Sequence, residues 1–207
     1  MKKIILFFIL LLSFSIVFSQ SQISVSSRFG TLGDKQHVLK DNVVIKKSDL
    51  TMMTEVATIT QLDDDWRDMV CSATTIKTST LNASAEFFKF DLSTEKGQLS
   101  KKVSVKILVD KKDLYISCDV LEFNNKEKNY TGSSNDLVKI LKEDYVISAK
   151  NFSYNETTKI LVLNGDVRIK NDAKKIDLKT QNSTFRTDTN EMKAEGINLT
   201  LEVKETK

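Results

Sequence analysis

The chain has 207 residues and a formal net charge of +3, of which Lys2 and Lys3 supply two, leaving +1 on the remainder. So balanced a chain has no net field to gather nucleic acid or to hold an anionic membrane by charge alone. The absence of Pro and the six Gly exclude collagen-like and Pro-rich linker classes. With His37 as the lone histidine, Ser-His and Cys-His devices lack an alternative base and a typical zinc site lacks ligands. No catalytic site, metal or cofactor is therefore expected.

Met1, Lys2 and Lys3 begin the chain with positive charge, and residues 4–18 are apolar except for Ser13 and Ser15. This is the pattern of a secretory signal. The run of fifteen falls short of the about 20 residues that cross a bilayer, and Val17 and Ser19 supply the small residues that precede a cut. Residues 1–19 are thus expected to be a cleaved signal peptide, with an uncleaved anchor as the alternative because Phe18 makes the cleavage region bulky. No Cys follows the run, which argues against lipoprotein anchoring. Residues 20–207 are long enough to bury one substantial core and are read as a single domain.

Beyond the signal, Thr, Ser, Asn, Asp and Lys alternate with Val, Ile, Leu and Phe over long stretches, the period of half-buried strands. His37 reads as a surface or edge residue. Asp41 and Asn42 form a turn signal, after which Val43 and Ile45 face one way and Lys46 the other. Residues 63–72 are the one stretch that reads as helical. Trp66 and Arg67 break any regular spacing of calcium ligands after Asp63, Asp64 and Asp65.

Val103, Val105, Ile107 and Val109 share a face further on. Cys118 has the parity of Ile116 and Val120, and reads either as a small buried hydrophobe or as half of a disulfide with Cys71, the other cysteine, if the compartment is oxidising. The clearest strand spans 161–169: Leu161, Leu163, Val167 and Ile169 share one face with Gly165, and Val162, Asn164, Asp166 and Arg168 take the other. Ile176 and Leu178 oppose Asp177 and Lys179, and Ile197, Leu199, Leu201 and Val203 complete the series. The pairs Lys101-Lys102, Lys111-Lys112 and Lys174-Lys175 have acidic neighbours and read as turns or solvated faces.

A shift of 64 residues brings Ala85, Phe88, Phe90, Asp91, Thr94, Val103 and Val105 onto Ala149, Phe152, Tyr154, Asn155, Thr158, Val167 and Ile169. Weaker copies lie at Leu121, Phe123 and Asn124, and at Phe185, Thr187 and Asp188, so the unit is 31 to 33 residues. Each unit would be an apolar-x-aromatic strand, an Asp/Asn turn and an alternating strand. Stacked antiparallel, such units bury a continuous apolar stripe.

The segment 148–155, followed by Ile160 to Leu163, Asn164-Gly165-Asp166-Val167 and Ile169, then Ile176 and Ala194-Glu195-Gly196, resembles the OstA-like β-jellyroll of the LptA family. Asp41 to Ile45, with Leu50-Thr51, is similar to that family's opening strands. The resemblance covers roughly residues 38–203 and is clearest over 145–200. The first half departs from the pattern: Asp41 stands where the family usually has Gly, Lys101 stands where Gly165 recurs, and 63–76 fits no repeat.

The resemblance implies an all-β, antiparallel jellyroll open at both ends, acting in the periplasm as a bridge that passes lipopolysaccharide or a similar glycolipid between membranes. Acyl chains would lie on the apolar face of Val43, Ile45, Phe88, Phe90, Val103, Val105, Phe123, Phe152, Tyr154, Leu161, Leu163, Val167, Ile169, Ile176, Leu178 and Leu199. It further implies LptC-like inner-membrane and LptD-like outer-membrane partners and head-to-tail homo-oligomers. Association would run through edge strands at Val43, Val44 and Ile45 and at Ile197, Leu199 and Leu201. Such a trough makes physical sense, because each exposed methylene costs roughly 0.8 kcal/mol in water. The same alternation also fits a structural or adhesive domain with a filled core, and the residues alone favour that reading. A third alternative is an anchored LptC-like component.

Overall fold

The computed structural model describes residues 22–201. The expected signal at 1–19 and Val203 lie outside the described residues. In chain order the strands are β1 (Ile23–Ser26), β2 (Phe29–Leu32), β3 (Gln36–Lys47), β4 (Leu50–Leu62), β5 (Asp65–Cys71), β6 (Thr74–Lys77), β7 (Leu81–Ala85) and β8 (Phe87–Asp91). They continue as β9 (Lys96–Val109), β10 (Lys112–Asn124), β11 (Asn129–Lys142), β12 (Tyr145–Asn155), β13 (Ile160–Asn171), β14 (Ile176–Arg186), β15 (Met192–Glu195) and β16 (Asn198–Leu201). All pairings are antiparallel within one hydrogen-bonded network, so the all-β antiparallel jellyroll expected from the sequence is what the chain forms.

The long strands are bent, and the bends fold that network into two layers. The register of β3, β9, β10, β11, β12 and β13 breaks near the middle of each strand. On one side of the breaks β4 pairs with β6, β9 with β7 and β14 with β16; on the other, β4 pairs with β5, β9 with β8 and β14 with β15. The first side is called layer A and the second layer B. With strands about 4.8 Å apart, a twelve-strand layer extends about 50 Å.

The bends come in two chemistries. Three strands running from B to A turn on a pair of left-handed residues: Asp41 and Asn42 (φ 61° and 51°) in β3, Lys101 and Lys102 (64° and 53°) in β9, and Gly165 and Asp166 (75° and 49°) in β13, whereas β11 crosses through residues 134–137 without one. Asp41 and Lys101, the two departures from the family's glycine, thus adopt the glycine's conformation at a cost of roughly 1 kcal/mol or more each. Two extra residues keep the inward parity, so Leu99 and Val103, like Leu163 and Val167, are all buried. Strands running from A to B bend on a shorter irregularity, and their inward residues step by three: Thr54 to Ala57, Cys118 to Leu121, Ala149 to Phe152, Thr180 to Ser183.

The repeat is visible in the turns at the tips of layer B. Asp91 Oδ1 accepts the backbone N–H groups of Ser93 and Thr94 at 2.8 Å, Asn124 Oδ1 those of Lys126 and Glu127, and Asn155 Oδ1 that of Thr158 at 2.7 Å. Side-chain oxygens that take up turn amides are why Asp or Asn recurs there. The pairs Lys101-Lys102, Lys111-Lys112 and Lys174-Lys175 do occupy bends and turns.

Three expectations are corrected. Residues 63–72 are not helical: Asp63 and Asp64 make a left-handed turn, and the rest is mostly β5, paired to β4 and β8. Val120 does not share the inward face with Ile116 and Cys118, because the bend intervenes and Leu121 takes that role. Val43, Val44 and Ile45 are not an edge, since Val25 and Ser26 of β1 pair with Ile45 and Val44. The edge next to them is formed by β1 and β2, while Leu199 and Leu201 lie on β16 at the opposite edge of the described residues, with Ile197 just before it.

Candidate functional site

Two bent layers of alternating strands enclose one apolar interior, and nearly all of the expected face lies in it. Val43, Ile45, Phe88, Phe90, Val103, Val105, Phe152, Tyr154, Leu161, Leu163, Val167, Ile169 and Leu178 are buried, and Phe123 and Ile176 pack partly buried against them. Leu199 is the exception. It pairs with Leu178 on β14 but is 46 % exposed, because no described strand lies beyond β16. Arg168, on the outward parity, is held by Asp177 through two hydrogen bonds.

Sequence reasoning missed much of the same interior, including Met52, Met69, Leu99, Leu114, Ile140, Ile147 and Phe185. The plain alternation within single half-strands, as in Leu114 and Ile116, Val138 and Ile140, and Tyr145 and Ile147, was the available signal.

Aromatic rings line the interior in groups. Phe88, Phe90 and Phe123 have centroids 5.6 to 6.0 Å apart, and Gly97 is small because a side chain there would meet Phe123 and Phe88. Tyr130 and Tyr154 stack at 6.2 Å, and Tyr145 of layer A meets Phe185 of layer B edge-on at 5.4 Å. Burial raises the Tyr154 phenol to about 12, against the lowering effect of its hydrogen bond with Thr187. These tyrosines act as apolar bodies with one satisfied polar tip.

The inward side chains of the two layers are buried against one another. One cavity between them holds about 10 Å³, bounded by Leu50, Ile76, Thr78, Leu81 and Ala83 of layer A and by Leu99, Leu121, Phe123, Asn125 and Tyr130 of layer B. That is about the least volume that admits one water. Beside it, Lys47 at the tip of layer A reaches across to the β8–β9 turn of layer B. Its Nζ donates to the Leu92 carbonyl and lies 3.1 Å from Glu95 Oε1, with the two side chains 3 % and 13 % exposed. Asn125 donates to the other Glu95 oxygen at 2.8 Å. Burial works to raise the Glu95 carboxyl, but Asn125 and Lys47 outweigh it and hold it below the ordinary range.

Cys71 and Cys118 are free, buried thiols, so the disulfide reading is not met. Burial pushes both up to about 12, and at neutral pH they are inert apolar groups. His37 is half-buried and stacks on Trp66 at 3.8 Å. Among the described residues no group of three or more His, Cys, Asp or Glu is placed to hold a metal ion. The outer surface has two larger depressions. One of 650 Å³ is lined mainly by polar residues such as Lys89, Gln98 and Glu122, and one of 420 Å³ has Tyr115, Leu141 and Val146 on its floor.

The class of architecture is a bent, two-layered antiparallel sheet with an apolar interior along its length. Residues 25–129, just over half of the chain, match the family model described as LptA/(LptD N-terminal domain) LPS transport protein. The chain belongs to this family of lipopolysaccharide-transport proteins. The match falls on the first half, where the motif departs most from the pattern, and not on 145–200, where it was most legible. A crystal structure of LptH, the LptA homologous periplasmic component of the lipopolysaccharide transport device of Pseudomonas aeruginosa, aligns over 89 % of this chain and 97 % of that one. Identity is 11 % and the TM-score 0.26, a superposition too poor to carry weight. No curated protein matches the sequence.

Proposed function

We propose that this protein is a periplasmic bridge that takes lipopolysaccharide, or a similar glycolipid, by its acyl chains and passes it from the inner toward the outer membrane. The observation that carries the proposal is the continuous apolar interior of the two layers, about 50 Å long, in a chain of the lipopolysaccharide-transport family. The terminal strands extend the reading. β1 and β2 at one end and β15 and β16 at the other are short strands of four residues each, suited to pairing with the next protomer or with LptC-like and LptD-like partners. A cleaved signal at residues 1–19 would deliver the chain to that compartment.

The nearly filled interior favours a second reading, a structural domain with a closed core. Under the transport reading the two layers part as lipid enters. Site-specific photo-crosslinking in cells separates the two. A photoreactive residue at Phe152, Tyr154, Val167 or Ile169 is expected to capture lipid, and one at the outward Arg168 is not. If none of the inward positions captures lipid in folded, abundant protein, the closed-core reading replaces the transport one.

A further inference from the structure

Two lysines are buried among the described residues: Lys142 pairs with its chain neighbour Glu143, whereas the Lys47 ammonium is paired across the two layers. Lys47 ends β3 on the inward parity, pairs across the strand with Leu50, and is 3 % exposed at its side chain. Leu50 lines the residual gap between the layers, and so does Asn125, the residue that fastens Glu95. The charge and the gap are therefore neighbours, joined through Leu50 on one layer and Asn125 on the other. In the closed form Glu95 and the Leu92 carbonyl satisfy that ammonium from the opposite layer. Any parting of the layers here takes Glu95 away and leaves a cation beside Leu50 and Ile23 with its donors unmet, which is costly in proportion to its burial. An incoming amphiphile that brought its own anion would restore the pairing while its chain entered the gap.

We propose that Lys47 reads the headgroup: Glu95 occupies, in the closed form, the place that a lipid's anionic group takes when the acyl chain enters, so the trough selects anionic over uncharged amphiphiles. The idea rests on the transport reading above. Phosphate and carboxylate share the chemistry required, an oxyanion within reach of a buried ammonium. Glu95 is then an internal competitor, and the clamp opens only for a ligand that can replace it. The turn that carries Glu95 is shaped by Asp91, whose carboxylate holds the backbone of Ser93 and Thr94.

The test uses the purified protein, a fluorescent long-chain fatty acid, its uncharged methyl ester, and inorganic phosphate as competitor, with binding followed by fluorescence. Wild type is expected to prefer the acid. Lys47→Met should lose roughly ten- to a hundredfold in affinity for the acid, the worth of one hydrogen bond to a charged group, and, because it too unties the clamp, should bind the ester at least as tightly as wild type does. Lys47→Arg should keep the preference, and Glu95→Gln should bind both probes more tightly because the clamp is weakened. If Lys47→Met fails to fold by circular dichroism, Lys47→Gln carries the same comparison. A variant without the lysine that binds both probes with the wild-type preference overturns the proposal and leaves the transport reading standing. Displacement of the acid by inorganic phosphate at comparable concentration also overturns it, by showing a free-anion site. If no variant, Glu95→Gln included, binds either probe, the transport reading itself has failed.

Discussion

Replacing Phe88 with Ala asks whether the two layers are closed on each other in solution. Phe88 has no exposed surface, lies in register with Cys71 and Leu99, and sits within 5.6 Å of the Phe90 ring centroid and 6.0 Å of that of Phe123. Removing a fully buried Phe side chain costs about 3–5 kcal/mol, and lost aromatic pairing places this site toward the upper end. At about 2–4 °C per kcal/mol for a domain of this size, the melting temperature should fall by about 6–20 °C. Urea unfolding followed by circular dichroism reads the same loss as a lower midpoint at unchanged slope. Phe87, one residue earlier, is the control. It is 46 % exposed on the outward face with the Lys101 ammonium 4.6 Å from its ring, and Phe87→Ala should cost about 1 kcal/mol or less. If Phe88→Ala costs no more than Phe87→Ala, the interior is not closed around Phe88, and the two layers enclose an open trough.

Three more outcomes follow from particular residues. Cys71 and Cys118, buried and with thiols at about 12, should react with a thiol reagent at neutral pH only after denaturation; rapid modification of the native protein would show that the layers open freely. Gly97→Ala would place a Cβ 2.6 Å from Phe123 Cζ and 3.0 Å from Phe88 Cε2, an overpacking cost of about 1–3 kcal/mol that the double variant with Phe123→Leu should partly recover. Burial works to raise the Asp91 carboxyl, but the Thr94 amide, Arg67 and the Ser93 amide hold it at about 2 against an ordinary 3.8. A depressed carboxyl stabilises the fold fully above 3.8 and progressively less as pH falls toward 2. Asp91→Asn should therefore flatten the acid side of the stability curve in that window, and an unchanged slope would refute the account.

Strand period and turn chemistry were legible because both are local. Val103 to Val109 and Leu161 to Ile169 alternate with a period that only a strand can satisfy, and Asp91, Asn124 and Asn155 recur because a side-chain oxygen is needed at each turn. These features determined an all-β chain with one apolar side and a unit of 31 to 33 residues.

Apart from the turn signal at Asp41 and Asn42, the bends were not legible. Lys101 carries no mark of a left-handed residue, and the step from Cys118 to Leu121 looks like an interruption of the alternation until the two layers are seen to share an interior. The edge expected at Val43 to Ile45 was misread for a related reason. Whether Val43 to Ile45 is exposed depends on β1, some twenty residues earlier, and pairing between strands is a non-local choice that no local period encodes. Lys47 shows the limit most plainly. A lysine at the end of a strand reads as solvated, and only the folding of the layers brings the β8–β9 turn over it and turns a surface charge into a buried ion pair with Glu95. Local sequence determines what each strand can bury; which strands meet, and how tightly, is decided by the tertiary structure, because the contacts that settle it come from opposite layers.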